Sequence, residues 1–217
     1  MFENLFRSDT PSPLLKAAYD DVSEMLEHAG NMLDLACRQL LDNEQIDIDL
    51  DQLDDEVDQG ERLVRRAVLQ HLAVQPRQDL VASLVLVSIV QDAERIGDFA
   101  RGLSELVALA RSPREGSFRD RLRAAHQRLR PLFAETAAAF RADDVQGATA
   151  VISEAVQLKA EMVGLVADIA ASELSADMAV VYSDAARILR RIGSHLSNIC
   201  STVSQPYDRI RHGDESA

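Results

Sequence analysis

The chain has 217 residues, of which 36 are acidic and 23 are Lys or Arg, so its formal net charge at pH 7 is −13. Such an excess of carboxylates repels a phosphodiester backbone and argues against a nucleic-acid partner. Apolar residues make up 47% of the chain, aromatic residues only 4%, and Trp is absent, a composition that favours an all-α protein over a sheet protein.

The start of the chain predicts a short arm followed by a long helix. Residues Met1 to Pro13 lack the charged and apolar regions of a signal peptide, and we interpret them as a docked terminus. From Pro13 to about Leu41, apolar residues recur at helical spacing. The two cysteines, at positions 37 and 200, have no metal-binding spacing and suit a reducing compartment. We therefore expect a cytoplasmic protein.

An acidic stretch leads into the second predicted helix. The twenty residues from Asp42 to Glu61 include ten acidic residues and no basic one. We expect the helix to begin near Asp49–Asp51, where carboxylates favour the positive end of the macrodipole, and to end near position 73. On it, Asp54, Asp58 and Glu61 lie within about 60° of one another, at the edge of the apolar side. Three like charges therefore gather along one edge.

The third predicted helix, from Pro76 to about Arg111, is apolar on two sides. Its longest apolar run, Val81–Val90, is too short to cross a bilayer. Gly97 costs about 1 kcal/mol of helix propensity, which predicts a close approach by a neighbouring helix. One apolar stripe consists of Val85, Ile89, Ile96, Leu103 and Val107. A helix with a second apolar side is expected at the centre of a bundle.

Two carboxylates follow the other apolar stripe of this helix. Glu94 and Asp98 are four residues apart, which places them on one face about one turn apart. At about 100° per residue, the same stripe carries Leu80, Leu84 and Val87. We therefore predict an inward-facing line that ends in two acids. Buried carboxylates must be neutralised by arginines, protons or metal ions.

The segment from Ser112 to Gly116 is the clearest break in the chain. It predicts a boundary between residues 1–112 and residues 113–217. The second half predicts three more helices, over about 117–141, 144–171 and 175–203. The early turns of the first of these are rich in arginine: Arg119, Arg121, Arg123, Arg128 and Arg130.

The two halves share a short motif at corresponding positions. Arg95-Ile96-Gly97 recurs about 96 residues later as Arg191-Ile192-Gly193, each time in the third helix of its half. The match predicts a duplication. We therefore expect two tandem, similar three-helix bundles built from six long antiparallel helices. The second of the two bundles is expected to be degenerate.

The block Glu94-Arg95-Ile96-Gly97-Asp98 closely resembles a motif of the PhoU family of phosphate-uptake regulators. The acidic segment 53–62 is similar to the family's second-helix motif, and Arg191–Ile199 is similar to a second copy of the first motif. Gln75-Pro76 and Asp79-Leu80, ahead of the block, fit as well, so the resemblance covers nearly the whole chain. It implies two three-helix bundles side by side, in agreement with the helix pattern.

The resemblance also implies a metal site and a regulatory role. The metal would be a multinuclear iron or zinc cluster held by Glu94, Asp98, Asp54, Asp58 and Glu61. Oxygen ligands without Cys or His also suit Mg or Mn. The implied function is negative regulation of phosphate uptake and of phosphate-starvation signalling. The implied partners are a phosphate transporter, through an ABC-type ATPase subunit or another carrier, and a membrane sensor histidine kinase. We expect a homodimer, held at the inner face of the membrane only through its partners.

The second half departs from the family pattern. Where its third helix should carry two acids, the chain has Arg190 and Ser194, and the preceding helix offers only Glu154 and Glu161. Because an arginine in a cation site is the opposite of a ligand, we expect the second cluster to be absent or much weakened. Arg190 would then pair with one of the two glutamates.

Two other functions remain open at this point. The five acids of the first half could be salt-bridged by arginines, in a metal-free helical adaptor that binds a basic partner. They could also serve a metal-dependent hydrolase or oxidase. The sequence has no Glu-x-x-His pair, Gly-rich phosphate loop or nucleophile elbow, so we expect no enzyme. The arginines at helical spacing from the acids are Arg62, Arg65, Arg66, Arg95 and Arg101.

Overall fold

The computed structural model describes residues 12–47 and 49–205. Nearly all of the predicted N-terminal arm lies outside these residues. The described part of the chain forms helices and contains no strand, which confirms the all-α prediction. None of its helices is long and apolar enough to cross a membrane.

The described residues form six long helices and one short 3-10 helix, one after another. They are α1 (Pro13–Leu41), α2 (Leu50–Val74), α3 (Leu80–Glu105), the 3-10 helix (Leu106–Leu109), α4 (Ser117–Ala142), α5 (Val145–Ala170) and α6 (Ala176–Ser204). Residues 110–116, where we predict a break, are not helical. The predicted helices agree with the observed ones to within two residues, apart from α3.

Polar side chains cap the first turn of three of the helices. The Ser12 hydroxyl accepts a hydrogen bond from the backbone N–H of Leu15 at 3.3 Å, ahead of a proline that suits the first turn of α1. Asp49 accepts from the N–H groups of Asp51 and Gln52, at 3.0 and 3.3 Å. Asp144 does the same for α5, at 3.0 Å. These caps fix where α1, α2 and α5 begin.

The predicted start of α3 is wrong. We expect Pro76 to open the helix, but residues 76–79 form a turn and the helix begins at Leu80. Asp79 ends this turn in the left-handed conformation, with φ 54°, and is buried. The helix is also shorter than predicted at its other end, because the chain tightens into the 3-10 helix after Glu105. The connection between α2 and α3 is therefore a tight hairpin.

The helices pack as two three-helix units side by side. Helices α1, α2 and α3 contact one another, as do α4, α5 and α6. Between the units, α1 packs on α4 and α3 packs on α6, so that α2 and α5 are the outer helices. The buried apolar residues of both units form one continuous cluster. That the units arose by duplication stays a prediction.

Two acid–histidine pairs cross the junction between the units. Asp92 of α3 lies 2.7 Å from Nδ1 of His195 of α6. Asp34 of α1 lies 2.8 Å from Nε2 of His126 of α4 and also accepts a hydrogen bond from Nε of Arg130 at 2.5 Å. Each of the two contacts between the units thus includes a polar pair.

One of the two predicted apolar stripes of α3 faces outward. Ile89, Ile96 and Leu103 are buried as expected, but Leu80, Leu84 and Val87 are 37, 40 and 40% exposed. Helices α1, α2 and α6 pack against the rest of α3. The helical spacing identifies which residues share a face of α3. It does not identify which face the neighbouring helices leave exposed. The prediction of an inward-facing line is therefore wrong.

Candidate functional site: an acidic cluster on helices α2 and α3

The five predicted site residues come from the two helices of one hairpin. Helix α2 contributes Asp54, Asp58 and Glu61, and α3 contributes Glu94 and Asp98. The hairpin is tight at the level of Gly97, where a Cβ would lie 3.3 Å from Oδ1 of Asp54 and 3.3 Å from Cγ1 of Val57. The glycine predicts this close approach of the two helices. The close approach brings the acids of α2 and α3 together.

Two arginines of α3 bind the acids nearest to Gly97. Arg101 places Nε 3.1 Å from Oδ2 of Asp54 and Nη2 3.8 Å from Oδ1 of Asp98. Arg95 donates a hydrogen bond from Nη1 to Oδ2 of Asp98 at 2.9 Å. Asp98 is therefore held between two guanidinium groups, and Arg101 joins α3 to α2.

The other three acids also have arginine neighbours, at varied distances. Glu61 lies 2.8 Å from Arg65, and Asp58 lies 3.3 Å from Arg62, both with the i, i+4 spacing of α2. Glu94 has the weakest of these contacts, because its Oε2 lies 3.7 Å from Nε of Arg95. The five acidic side chains are between 16 and 37% exposed. They line a half-buried surface, not a buried core position.

Burial and neighbouring carboxylates shift the pKa values of two of the acids. The pKa of Glu94 is raised by burial and by the nearby carboxylates of Asp98, Glu61 and Asp58, against the opposing effect of Arg95. Burial also raises the pKa of Asp54, where Arg101 opposes the shift and the neighbouring acids add to it. Ionisation of both groups is therefore disfavoured in the folded state.

The residues of the cluster do not fit a metal centre in this arrangement. Oxygen donors of the right kind are present, but each has a guanidinium group beside it. Within the described residues, no group of three or more His, Cys, Asp or Glu is arranged to hold a metal ion. An ion that bridged Glu94 and Asp98 would have to displace Arg95. The predicted iron or zinc cluster, like the Mg or Mn alternative, stays a prediction.

In the second unit, an arginine of α4 pairs with the two glutamates of α5. Arg128 of α4 donates from Nε to Glu154 at 2.6 Å and from Nη1 to Glu161 at 2.7 Å, and these hydrogen bonds raise the pKa of Arg128. Arginine pairing of the two glutamates is as expected, but Arg190 is not the partner. Helix α4 packs directly on α5, and Arg128 belongs to its arginine-rich turns.

Two other arginines of this group, Arg119 and Arg123, lie at the junction of the two units. Arg119 and Arg123 lie 3.9 and 3.0 Å from Oδ1 of Asp42. They line a cavity of about 320 Å³ together with Arg114 and Glu44. The charges in this cavity are mixed and largely paired. It therefore has no clear preference for an anion or a cation.

Neutralising Glu94 should stabilise the protein at neutral pH. The raised folded-state pKa means that ionisation of Glu94 costs stability, a cost that is absent below the unfolded-state pKa and grows as the pH rises through the folded value. Glu94→Gln should therefore raise the free energy of unfolding at pH 7 by about 0.5 kcal/mol, the order of a like-charge contact on a helix. The gain should disappear near about pH 4.

Urea unfolding at the two pH values, followed by circular dichroism, measures this gain. Glu154→Gln is the matched control, because it removes the negative charge that strengthens the 2.6 Å hydrogen bond from Arg128 and should destabilise the protein at pH 7. A destabilising Glu94→Gln substitution at pH 7 would show that Glu94 has a favourable cationic partner.

The fold and the site together define a class of protein. It is a helical protein of two packed three-helix units, in which the described residues gather carboxylates and arginines on a surface hairpin.

Comparisons with known proteins show a likeness to one family. The family model described as the PhoU domain matches residues 22–107. The matched residues span most of the first three-helix unit, and the match confirms the resemblance to the PhoU family predicted from the sequence. A comparison with curated proteins gives no match.

Solved structures extend the likeness to nearly the whole chain. The phosphate transport system regulatory protein PhoU from Streptococcus pneumoniae is similar, with a TM-score of 0.68 and 18% identity, over 88% of this chain and 89% of that one. PhoU from Pseudomonas aeruginosa matches with a TM-score of 0.66 and 24% identity, over 88% of this chain and 91% of that one. Both units of the chain thus have the fold of PhoU.

Proposed function

We propose that the protein is a negative regulator of phosphate uptake and of phosphate-starvation signalling, and that it acts without catalysis. The observation that supports this proposal is the PhoU domain at residues 22–107, within a chain that has the PhoU fold over 88% of its length. One of the proteins with this fold is described as a phosphate transport system regulatory protein. The site adds a surface suited to contacts with other proteins.

Its partners would be a phosphate transporter, through the ATPase subunit or another carrier, and a membrane sensor histidine kinase. We place the protein in the cytoplasm, at the inner face of the membrane through these partners, and as a homodimer. The two cysteines support a reducing compartment, because both are free and buried. The net charge of −13 favours partners with basic surfaces.

Deletion of the gene in the source organism tests the regulatory role. In phosphate-replete medium, the deletion strain should take up radiolabelled phosphate several times faster than the parent strain. The wild-type gene should restore the lower rate. Capture of the tagged protein from replete cells should enrich the transporter's ATPase subunit. An unchanged uptake rate in the deletion strain would contradict the proposed function.

A metal-free adaptor for a basic partner is the second candidate function. It is favoured by the arginine contacts of all five acids and by the net charge of −13 of the chain. A surface that already accepts guanidinium groups can accept those of another protein. This candidate is compatible with a role in phosphate regulation, in which the basic partner is the transporter or the kinase.

Metal binding can be separated from arginine binding by one substitution. If arginine and cation compete, Arg95→Gln should bind Zn²⁺ or Fe²⁺ about thirtyfold more tightly than wild type, since a unit charge at about 4 Å from a divalent ion in water is worth about 2 kcal/mol. Calorimetric titration of each ion measures the change. Arg187→Gln is the control, because Arg187 pairs with Asp184 on α6 and should leave affinity unchanged. Equal, tight binding to both variants and wild type would contradict the competition.

A further inference from the structure

The outward side of the α2–α3 hairpin has an apolar end. Leu80, Leu84 and Val87 follow one another along α3 and are 37, 40 and 40% exposed. On α2, Leu69 is 70% exposed and lies on the side that carries Asp58, according to the helical spacing. Large aliphatic side chains in a row on a surface helix are typical of a contact surface rather than of solvent-exposed helix.

The same line continues into the acidic cluster. From Leu80 the stripe passes through Leu84 and Val87 and reaches Glu94 and Asp98 at the other end of the helix. The distance from position 80 to position 98 is about 27 Å at 1.5 Å per residue. One face of the hairpin is therefore divided into an apolar part and an acidic part.

The acidic part is able to accept further positive charge. Glu94 is contacted only loosely by Arg95, at 3.7 Å. The five acids of the cluster are contacted by four arginines, because Arg95 is shared by Glu94 and Asp98. The resident arginines thus leave part of the negative charge unbalanced, at positions where guanidinium geometry is already accommodated.

We propose that this face, formed by Leu69, Leu80, Leu84, Val87, Glu94 and Asp98, is the docking surface for a basic amphipathic helix of a partner protein. The partner helix lays apolar side chains on the apolar end and directs Lys or Arg side chains to the acids. To cover the face it needs about 18 residues, or five turns. Apolar side chains at i, i+3 or i+4, and i+7 and basic side chains from i+11 onward match its two parts.

Charge selects this occupant over two others. A second copy of the chain offers the same face, and antiparallel pairing would set its carboxylates against Leu84 and Val87, where they would be desolvated without a partner. An anionic membrane surface would be repelled by the acids. A basic helix satisfies both parts of the face at once.

A synthetic peptide tests the surface directly. The probe is a fluorescein-labelled 18-residue peptide with leucines in its first two turns and lysines in its last two, and a scrambled peptide of equal composition is the control. Fluorescence anisotropy should show binding of the probe to wild type, weakening as salt rises. Equal binding of the scrambled peptide, or no binding of the probe, would overturn the proposal.

Substitutions in the two parts should each weaken binding of the peptide. We expect at least a tenfold loss of affinity for Leu84→Glu with Val87→Glu and for Glu94→Gln with Asp98→Asn. The matched controls are Val163→Glu, 54% exposed on α5, and Asp184→Asn, 42% exposed on α6, which should bind as wild type does. Losses no larger than those of the controls would overturn the proposal.

Two further measurements test whether a second copy of the chain or an anionic membrane occupies the face instead. If sedimentation shows that Leu84→Glu with Val87→Glu dissociates a dimer of the protein, the face lies between copies and the proposal is wrong. If phosphatidylglycerol vesicles bind the face more tightly than the peptide does, the proposal is likewise wrong. Wild-type and variant sedimentation profiles that agree, with no vesicle binding, support a protein partner.

This inference deepens the proposed function, and the two can fail separately. The anisotropy measurement contains neither phosphate nor transporter, so failure of peptide binding overturns the docking surface alone. An unchanged phosphate uptake rate in the deletion strain overturns the regulatory role alone.

Discussion

Replacing Asp92 by alanine should lower the free energy of unfolding by about 3 kcal/mol. Asp92 is 3% exposed. Its Oδ1 lies 2.7 Å from Nδ1 of His195 and accepts a hydrogen bond from Nδ2 of Asn198 at 3.1 Å. Truncation leaves both partners on α6 without this acceptor, at a junction from which water is largely excluded. Urea unfolding at pH 7, followed by circular dichroism, measures the loss.

The controls for this substitution separate burial from charge. Asp184→Ala removes an acid that is 42% exposed and 3.5 Å from Arg187, and should cost less than about 0.5 kcal/mol. Asp92→Asn keeps an acceptor oxygen and should fall between the two. In a double-mutant cycle, Asp92→Ala and His195→Ala should be coupled by about 1 kcal/mol or more. A cost for Asp92→Ala no greater than that of Asp184→Ala would contradict a structural role for the junction pair.

Local sequence determines most of the helix boundaries, which is why they could be predicted. Ser12, Asp49 and Asp144 each cap a helix through their own side chains, using only residues within three positions. The prediction of where α3 starts is wrong because it, too, used only local sequence. Pro76 is an acceptable first residue of a helix, and nothing near it in the sequence reveals that Asp79 adopts a left-handed conformation.

The gathering of the five acids could be predicted, but not their surroundings. Helical spacing and Gly97 are enough to bring Asp54 close to Asp98. Which side of α3 stays open depends on where α6 packs, and that is a property of the assembled units. The exposure of Leu84 therefore cannot be predicted from the sequence.

The choice of arginine partner is likewise a tertiary property. Glu154 and Glu161 need a cation, and the sequence offers Arg190 in the equivalent position of the other half. Arg128 takes this role because α4 lies against α5 and its side chain reaches both acids, at 2.6 and 2.7 Å. A periodic pattern identifies an unsatisfied charge more reliably than it identifies the side chain that satisfies it.

Gly97→Leu should both destabilise the protein and disrupt the acidic cluster. A Cβ at this position would already lie 3.3 Å from Asp54 and Val57, and leucine adds three further carbon atoms to the same space. Helix α2 must then move away from α3, at a cost of about 3 kcal/mol for overpacking. The movement separates Asp54 from Asp98 and lengthens the contact of Arg101 with Asp54. Affinity for the basic peptide should fall with the stability.

Gly102→Leu on the same helix is the matched control for this effect. A Cβ at Gly102 would meet no atom within 4 Å, so the substitution gains helix propensity of up to about 1 kcal/mol and meets no clash. Gly102→Leu should leave peptide affinity unchanged. Both variants lose a glycine, but only Gly97→Leu disturbs the close approach of α2 and α3, so the comparison separates the two effects. If both variants were stabilised, the helices of the hairpin would tolerate a wider separation, and the cluster would not depend on the contact of Gly97 with Asp54. The difference in stability and peptide affinity between Gly97→Leu and Gly102→Leu therefore measures how much the site depends on the close approach of α2 and α3.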